Sequence, residues 1–359
     1  MGELFARGGY DVNRAVHLIW PHDIDDPRRP SGGDRYDREL ASGLADRGWT
    51  LSEHVVEGAW PDAAAEARAR LARVLDALPD GALVVIDGLI GSAGAVVLEP
   101  RAGRLRLVLL VHLPTGGPSE RVVAGLADHV VTTSEWSSRW LRDHYGLDGH
   151  RVEVARPGVT PWRTTPPRAD GRALVCVGAI TPLKGHDVLI EALGRVDDLP
   201  WRCRIVGSAE VDTAFAERCR RRAAALGLSS RITWAGPVAP SRMDEVYAAA
   251  DLLVAPSRFE TYGMAITEAL AHGLPVIGTA VGGVPEAFGQ SVVAPGVLVE
   301  PGDPEPLAAA LRRWLTDPGI RAASRAAAIQ RGQGLPGWER TVDVVDSVLR
   351  RVCDPVVTT

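Results

Sequence analysis

The sequence predicts an α/β protein of two doubly wound, Rossmann-like domains facing each other across a cleft. Short apolar runs alternate with amphipathic stretches along both halves, the pattern left by parallel strands covered with helices. At 359 residues the chain is long enough for two cores of ordinary size. Between the two series lies "PGVTPWRTTPPRADGR", residues 157–172, rich in Pro, Thr and Arg and without periodicity, which reads as a linker. The expected boundaries are a first domain over 1–160, a linker over 161–172, a second domain over 173–335, and a last segment over 336–359 whose helix packs back towards the first domain.

Each element has a local reason. In the first half, the apolar runs "AVHLIW" (15–20), "LSEHVV" (51–56), "ALVVID" (82–87), "LRLVLLV" (105–111), "HVVTT" (129–133) and "VEVA" (152–155) are of strand length. Between them, 33–48, 62–78 and 134–146 show helical spacing, and Ser134 is a fitting N-cap for the last. The second half repeats the pattern, with strands expected at 173–178, 201–207, 231–236, 251–256, 274–279 and 296–300. Helices are expected at 185–196, 210–226, 240–250, 262–272, 304–315, 317–331 and 336–352.

Composition narrows the partners. The chain is 46% hydrophobic and 24% charged with a formal net charge of −5, so it lacks the basic bias of a nucleic-acid binder. No apolar run approaches the ~18 residues of a membrane span, and the opening residues hold no signal-like apolar core; a cytoplasmic protein is expected, with room for peripheral membrane contact. The four cysteines, Cys176, Cys203, Cys219 and Cys353, show no paired spacing, and Cys176 and Cys203 read as buried thiols. Lys184 is the only lysine; every other side-chain cation, histidine aside, is arginine. A compact ammonium kept in such a chain points to a position where the two cations are not interchangeable.

Ligands of doubly wound sheets bind beyond the carboxyl ends of the strands, so the chemistry should follow strands. After 173–178 comes "VGAITPLKGHD", where Gly178 lets the backbone turn and Lys184 stands just before a helix N-terminus. After 251–256 comes "SRFETYGMAITEALAHGLPVI", with Gly263 and Met264 at the start of a helix whose free N–H groups favour phosphate. Two helix N-termini and one lysine suit a diphosphate. The carboxylates Glu260 and Glu268 would repel phosphate but accept hydrogen bonds from hydroxyls, and a nucleotide sugar carries hydroxyl-bearing rings at both ends of its diphosphate. Taken one by one, these residues have plainer readings: an exposed helix carboxylate, a loop acid, a solvated cation. Asp23, Asp25 and Asp26 in "HDIDD" read as a polar loop rather than a metal site, and Trp136 and Trp140, at i, i+4 spacing, as core.

The stretch "FETYGMAITEALAHGLPVIGTAVGGVPE" resembles the E-x7-E region of the retaining glycosyltransferases of family 4, which have the GT-B fold. "PSGGDRYDREL" (30–40), "VHLP" (111–114), "VTTSEWSSRWL", "VARPGV" and "VGAITPLKGHDVLIEAL" are similar to further segments of that family, so the resemblance runs along nearly the whole chain. It implies that Glu268 holds the nucleotide ribose and Glu260 the donor sugar. Gly178, Thr261, Tyr262 and the amides near Gly263 and Met264 would belong to the donor site, Lys184 would neutralise the diphosphate, and Gly32 and Gly33 would let the other domain approach it. His112 would lie near the transferred sugar and act with Lys184 and Glu260 in catalysis; Glu286 is a further candidate. The resemblance implies front-face attack, with no covalent intermediate, no cofactor and no essential metal; the partners are a nucleotide-sugar donor and an acceptor that is a glycan, a lipid or a small metabolite.

The sequence departs from the family at one place. Where the family has an arginine directly after the strand glycine, this chain has Ala179, and Arg156 and Arg258 are the expected substitutes. The departure keeps open a nucleotide-sugar-binding scaffold without turnover; the shared fold leaves open a phosphorylase with pyridoxal phosphate on Lys184.

Overall fold

The computed structural model describes residues 14–160, 170–290 and 292–353; positions 161–169 of the expected linker and residues 354–359 lie outside the described residues. Among the described residues, twelve strands form two parallel sheets. The first is built from β1 (Ala15–Pro21), β2 (Thr50–Val56), β3 (Leu83–Asp87), β4 (Arg106–Val111), β5 (His129–Thr132) and β6 (Val152–Val154), in the order β2-β1-β3-β4-β5-β6. The second is built from β7 (Ala173–Val177), β8 (Arg202–Val206), β9 (Ile232–Gly236), β10 (Leu252–Ala255), β11 (Val276–Thr279) and β12 (Gly296–Val299), in the order β12-β11-β10-β7-β8-β9. Each sheet reverses its strand order once, at β1/β3 and at β7/β10, and a crevice opens at each such point.

The helices around the first sheet are α1 (Gly32–Asp46), α2 (Ala65–Asp76), α3 (Gly88–Ala93), α4 (Ala95–Leu98), α5 (Pro118–Leu126) and α6 (Glu135–Tyr145). Those after β7 are α7 (His186–Gly194), α8 (Thr213–Ala225), α9 (Met243–Ala248), α10 (Met264–Ala271), α11 (Val284–Phe288), α12 (Pro304–Thr316), α13 (Pro318–Gln333) and α14 (Trp338–Cys353). The expected strands all form, with ends shifted by a residue or two. The structure adds α3, α4, α5 and α11, which the sequence pattern did not assign.

The central strands of both sheets are buried on both faces, which is why they read as continuous apolar runs. In β1, Leu18 and Trp20 enter one core while Ile19 between them enters the other. Leu174 and Cys176 of β7 face one core of the second sheet and Val175 faces the opposite one. Cys176 and Cys203 are buried free thiols, and burial pushes the Cys176 thiol up to about 12. The last helix, α14, lies in the first domain's core: Val342, Val345 and Leu349 pack with Trp20, Tyr36 and Leu44. Trp49 anchors it from the other side, its indole N–H donating to Asp346 at 2.7 Å. No helix among the described residues is long and apolar enough to cross a membrane.

Candidate active site

The loops after β7 and β10 meet at the switch point of the second sheet. Gly178 leaves β7 at φ 148°, and the chain then turns through Pro182–Lys184 to Gly185 at φ 68°. A side chain at Gly185 would place its Cβ 2.1 Å from the Pro256 carbonyl oxygen after β10, so a glycine is needed for the two loops to touch. Lys184 lies back over Gly178 and its Nζ sits 2.5 Å from Glu260 Oε2. Lysine and glutamate, 76 residues apart, thus share one point at the mouth of the crevice.

Beyond Glu260, Gly263 at φ 101° is the N-cap of α10 and offers no side-chain cap, leaving first-turn N–H groups free for an anion. The turn holding Glu260, Thr261 and Tyr262 rests on "GGVPE". A Cβ at Gly282 would lie 1.9 Å from the Glu260 carbonyl oxygen and one at Gly283 2.0 Å from that of Thr261. Gly283 N–H donates to the Glu260 carbonyl at 3.1 Å, and the Tyr262 side chain is buried beneath. The double glycine therefore fixes where Glu260 stands.

Glu268 lies one turn along α10, held from both sides. Its Oε2 accepts from the Tyr247 hydroxyl at 2.7 Å, and its Oε1 is 2.5 Å from Arg35 Nη1 of α1, in the other domain. The same two helices touch at their starts, where a Cβ on Gly32 would be 3.1 Å from Met264 Sδ. A cavity of about 670 Å³ opens beside this contact, lined by Ser31, Asp34 and Arg35 on one side and by Met243, Tyr247 and Glu268 on the other. Lys184 and Glu260 lie outside its walls.

On the first domain, His112 follows β4 and stands against Gly33, whose Cβ would be 3.4 Å from the imidazole. Its Nε2 is 2.7 Å from Asp37 Oδ1 of α1 and 3.6 Å from Asp87 Oδ2 at the end of β3. Both carboxylates are buried, Tyr36 meets the imidazole edge-on at 5.0 Å between centroids, and Asp87 also caps α3 through Leu89 N–H. Burial by itself would lower His112, but Asp37 and Asp87 outweigh it and raise the imidazole to about 9. Burial and the nearby Asp37 lift Asp87 to about 7. Asp37, Asp87 and His112 each bring one ligand atom within 4.8 Å of the others, which makes them the group among the described residues that could hold a metal ion.

Both shifts leave the folded chain with extra protons, so the stability this cluster supplies should fall as pH rises. The Asp87 share is lost between its ordinary value of 3.8 and about 7, and the His112 share between 6.5 and about 9. A series of melting temperatures from pH 4 to 10 for the wild type and His112→Gln should show the gap between them closing above pH 9. A gap that stayed constant would show that the imidazole holds no extra charge.

Several expectations change. Arg258 is engaged by its own neighbours: both its terminal nitrogens bond Asp187 at 2.7 Å, and Nη1 also donates to the Pro182 carbonyl. Arg156 is tied to Glu286 and, at 3.0 Å, to Glu135, while the Glu135 N–H donates to Glu286 at 2.9 Å, so Glu286 joins the two domains. Trp136 is not core; it meets Phe259 of the second domain edge-on, with centroids 5.4 Å apart, next to Glu260. Trp140 packs against the first domain's core and stacks on His144. Asp23, Asp25 and Asp26 form ion pairs with Arg29, Arg38 and Arg28. Sequence reasoning missed Arg35, Asp37, Asp87 and Tyr247. Asp37 carried a signal, since it shares the buried face of α1 with Leu40, Ala41 and Leu44. Asp87 closes a strand buried at every position.

The chain is 39% identical over 242 residues to a D-inositol 3-phosphate glycosyltransferase of Geodermatophilus obscurus, covering 62% of this chain and 52% of the relative. It is 34% identical over 257 residues to the protein of that name from Kineococcus radiotolerans, covering 65% and 59%. The chain thus spans little more than half the length of these curated relatives. In fold it is similar to the sucrose-phosphate synthase from Thermosynechococcus elongatus, with a TM-score of 0.77 at 22% identity over 94% of this chain and 99% of that one. It is also similar to Anabaena HepE, solved in complex with UDP-glucose, with a TM-score of 0.72 at 18% identity over 93% and 99%. The two facing parallel sheets are those of the GT-B fold. Residues 163–333 match the family described as glycosyl transferases group 1.

Proposed function

We propose that the chain is a retaining glycosyltransferase that moves a sugar from a nucleoside-diphosphate sugar to a hydroxyl of a small polyol. One observation carries the reading: Lys184 and Glu260 meet at the switch point of the second sheet, beside the uncapped start of α10, with Glu268 one turn further on. This order gives a cation and free N–H groups for a diphosphate between two carboxylates for hydroxyls. The bond between the anomeric carbon and the diphosphate oxygen breaks, the acceptor oxygen takes the same face, and its proton passes to the departing phosphate. The protein's share is to position the two substrates and stabilise the charge that develops on the diphosphate.

The relatives' names point to an inositol-type acceptor, and HepE, solved with UDP-glucose, to a uridine donor. The first domain offers Asp37 and Asp87 beside His112, a setting that suits hydroxyls better than a phosphate. The test is nucleotide release from UDP-, GDP-, ADP- and dTDP-sugars, with myo-inositol and inositol 3-phosphate as acceptors and the product's anomeric configuration read by NMR. Transfer with retention to the unphosphorylated polyol is expected. An inverted product would overturn the mechanism, and donor binding without hydrolysis or transfer would assign the chain a scaffold role instead.

A further inference from the structure

The diphosphate site lacks positive charge. Lys184, its cation, is already matched by Glu260 at 2.5 Å, and position 179, right after Gly178, is an alanine. A nucleotide-sugar diphosphate brings about two negative charges that one paired lysine cannot balance. Arginines approach the cleft from both domains. Arg258 is held by Asp187 and the Pro182 carbonyl, and Arg156 by Glu286 and Glu135, each in a contact set that orders its own loop.

Arg35 is placed differently. Its closest partner is Glu268, with Glu39 on its own helix at 3.9 Å and the Trp338 ring 5.9 Å beneath the guanidinium. Glu268 is the carboxylate that the proposed function assigns to the ribose hydroxyls, so in this state a guanidinium occupies the ribose position. Donor binding must part the pair, and parting leaves a half-buried arginine that needs another anion. That anion is close. The two helices touch at Gly32 and Met264, and Arg35 and Glu268 each lie one turn in from that contact. One helical turn is about 5.4 Å, within the reach of an arginine side chain, so a change of rotamer carries the guanidinium from Glu268 towards the start of α10. The planar fork of arginine also matches phosphate oxygens in pairs.

We propose that Arg35 is the second diphosphate cation of this site, delivered from the first domain: ribose hydroxyls replace it on Glu268 and it moves to the phosphates. The exchange leaves neither charge unpaired and makes donor binding draw α1 and α10 together. The inference rests on the donor reading above and deepens it.

Calorimetric titration of the full chain tests it, comparing UDP, GDP, ADP and dTDP with their nucleosides. For the nucleotide that the wild type prefers, Arg35→Ala should lose about tenfold or more in diphosphate affinity, while nucleoside affinity holds or rises because Glu268 is freed. Arg35→Gln, which keeps helix and length, should behave alike and guards against a folding defect in the alanine variant. Glu268→Gln should weaken diphosphate and nucleoside by the same factor, leaving their ratio unchanged. If Arg35→Ala and Arg35→Gln bind the diphosphate as tightly as the wild type, or more tightly, Arg35 merely blocks Glu268 and the inference is overturned. If the wild type prefers none of the diphosphates over its nucleoside, the donor reading itself fails and the inference falls with it.

Discussion

Lys184→Ala is expected to lower kcat/KM for the nucleotide-sugar donor about 100-fold or more, while leaving the melting temperature nearly unchanged. The two halves of that expectation have different causes. Removing one preorganised charge from a developing anion typically costs about 10²–10³ in rate, because nothing rearranges to replace it during the reaction. The ion pair with Glu260, by contrast, is partly open to solvent, with side chains 33% and 18% exposed, so its share of folding stability is small. Arginine should rescue poorly, since its fork cannot occupy the place of an ammonium lying over Gly178. Steady-state kinetics with a melting curve on the same samples decides the matter, and a loss under threefold would remove Lys184 from the diphosphate. Because Lys184 is the only lysine, an amine-selective reagent gives a second reading: saturating donor should shield it.

The second large effect is expected at Gly283→Ala, a single added methyl. Its Cβ would stand 2.0 Å from the Thr261 carbonyl oxygen and 3.0 Å from the Tyr262 Cα, and backbone cannot yield as a side-chain tip does. Overpacking of this kind costs about 3 kcal/mol when it is accommodated at all, and the accommodation would move the turn that carries Glu260. Activity should therefore fall by about 100-fold even in the fraction that folds, since small displacements at a reacting centre are costly. Circular dichroism melts with donor hydrolysis on the folded fraction check both parts. A variant with wild-type stability and activity would show that "GGVPE" plays no part in setting the site.

Local sequence carried the strands and the donor-side residues because those features are themselves local. Strands buried on both faces, such as "LRLVLLV", are legible at any position in the chain, and glycine followed by a helix start marks a strand end wherever it falls. The region after β3 was not legible for a physical reason. "GLIGSAGAVVLEP" breaks into helices of 6 and 4 residues, too short for a helical period to show. Its glycines answer to packing instead: a Cβ at Gly91 would lie 2.4 Å from Leu109 Cδ1 on β4. What could not be read at all was the pairing. Arg35 and Glu268 are 233 residues apart and His112 and Asp37 75, so the residues that complete the site are joined by topology, not by any pattern in their neighbours. Arg156 and Arg258 had the right charge and a nearby position, yet each is taken by a closer acid.

The placement of α14 has a consequence for how the molecule is made. Trp338, Val342, Val345 and Leu349 fill a core whose other walls are Trp20, Tyr36, Leu40 and Leu44, roughly three hundred residues earlier in the chain. The first domain's core is thus completed only after the second domain has been translated. Until then an apolar slot stays open along α1, and the nascent chain depends on a contact of very long range for its closure. Chains that stop short of residue 338 should accumulate with that slot exposed, making the emerging first domain the natural client of holding chaperones.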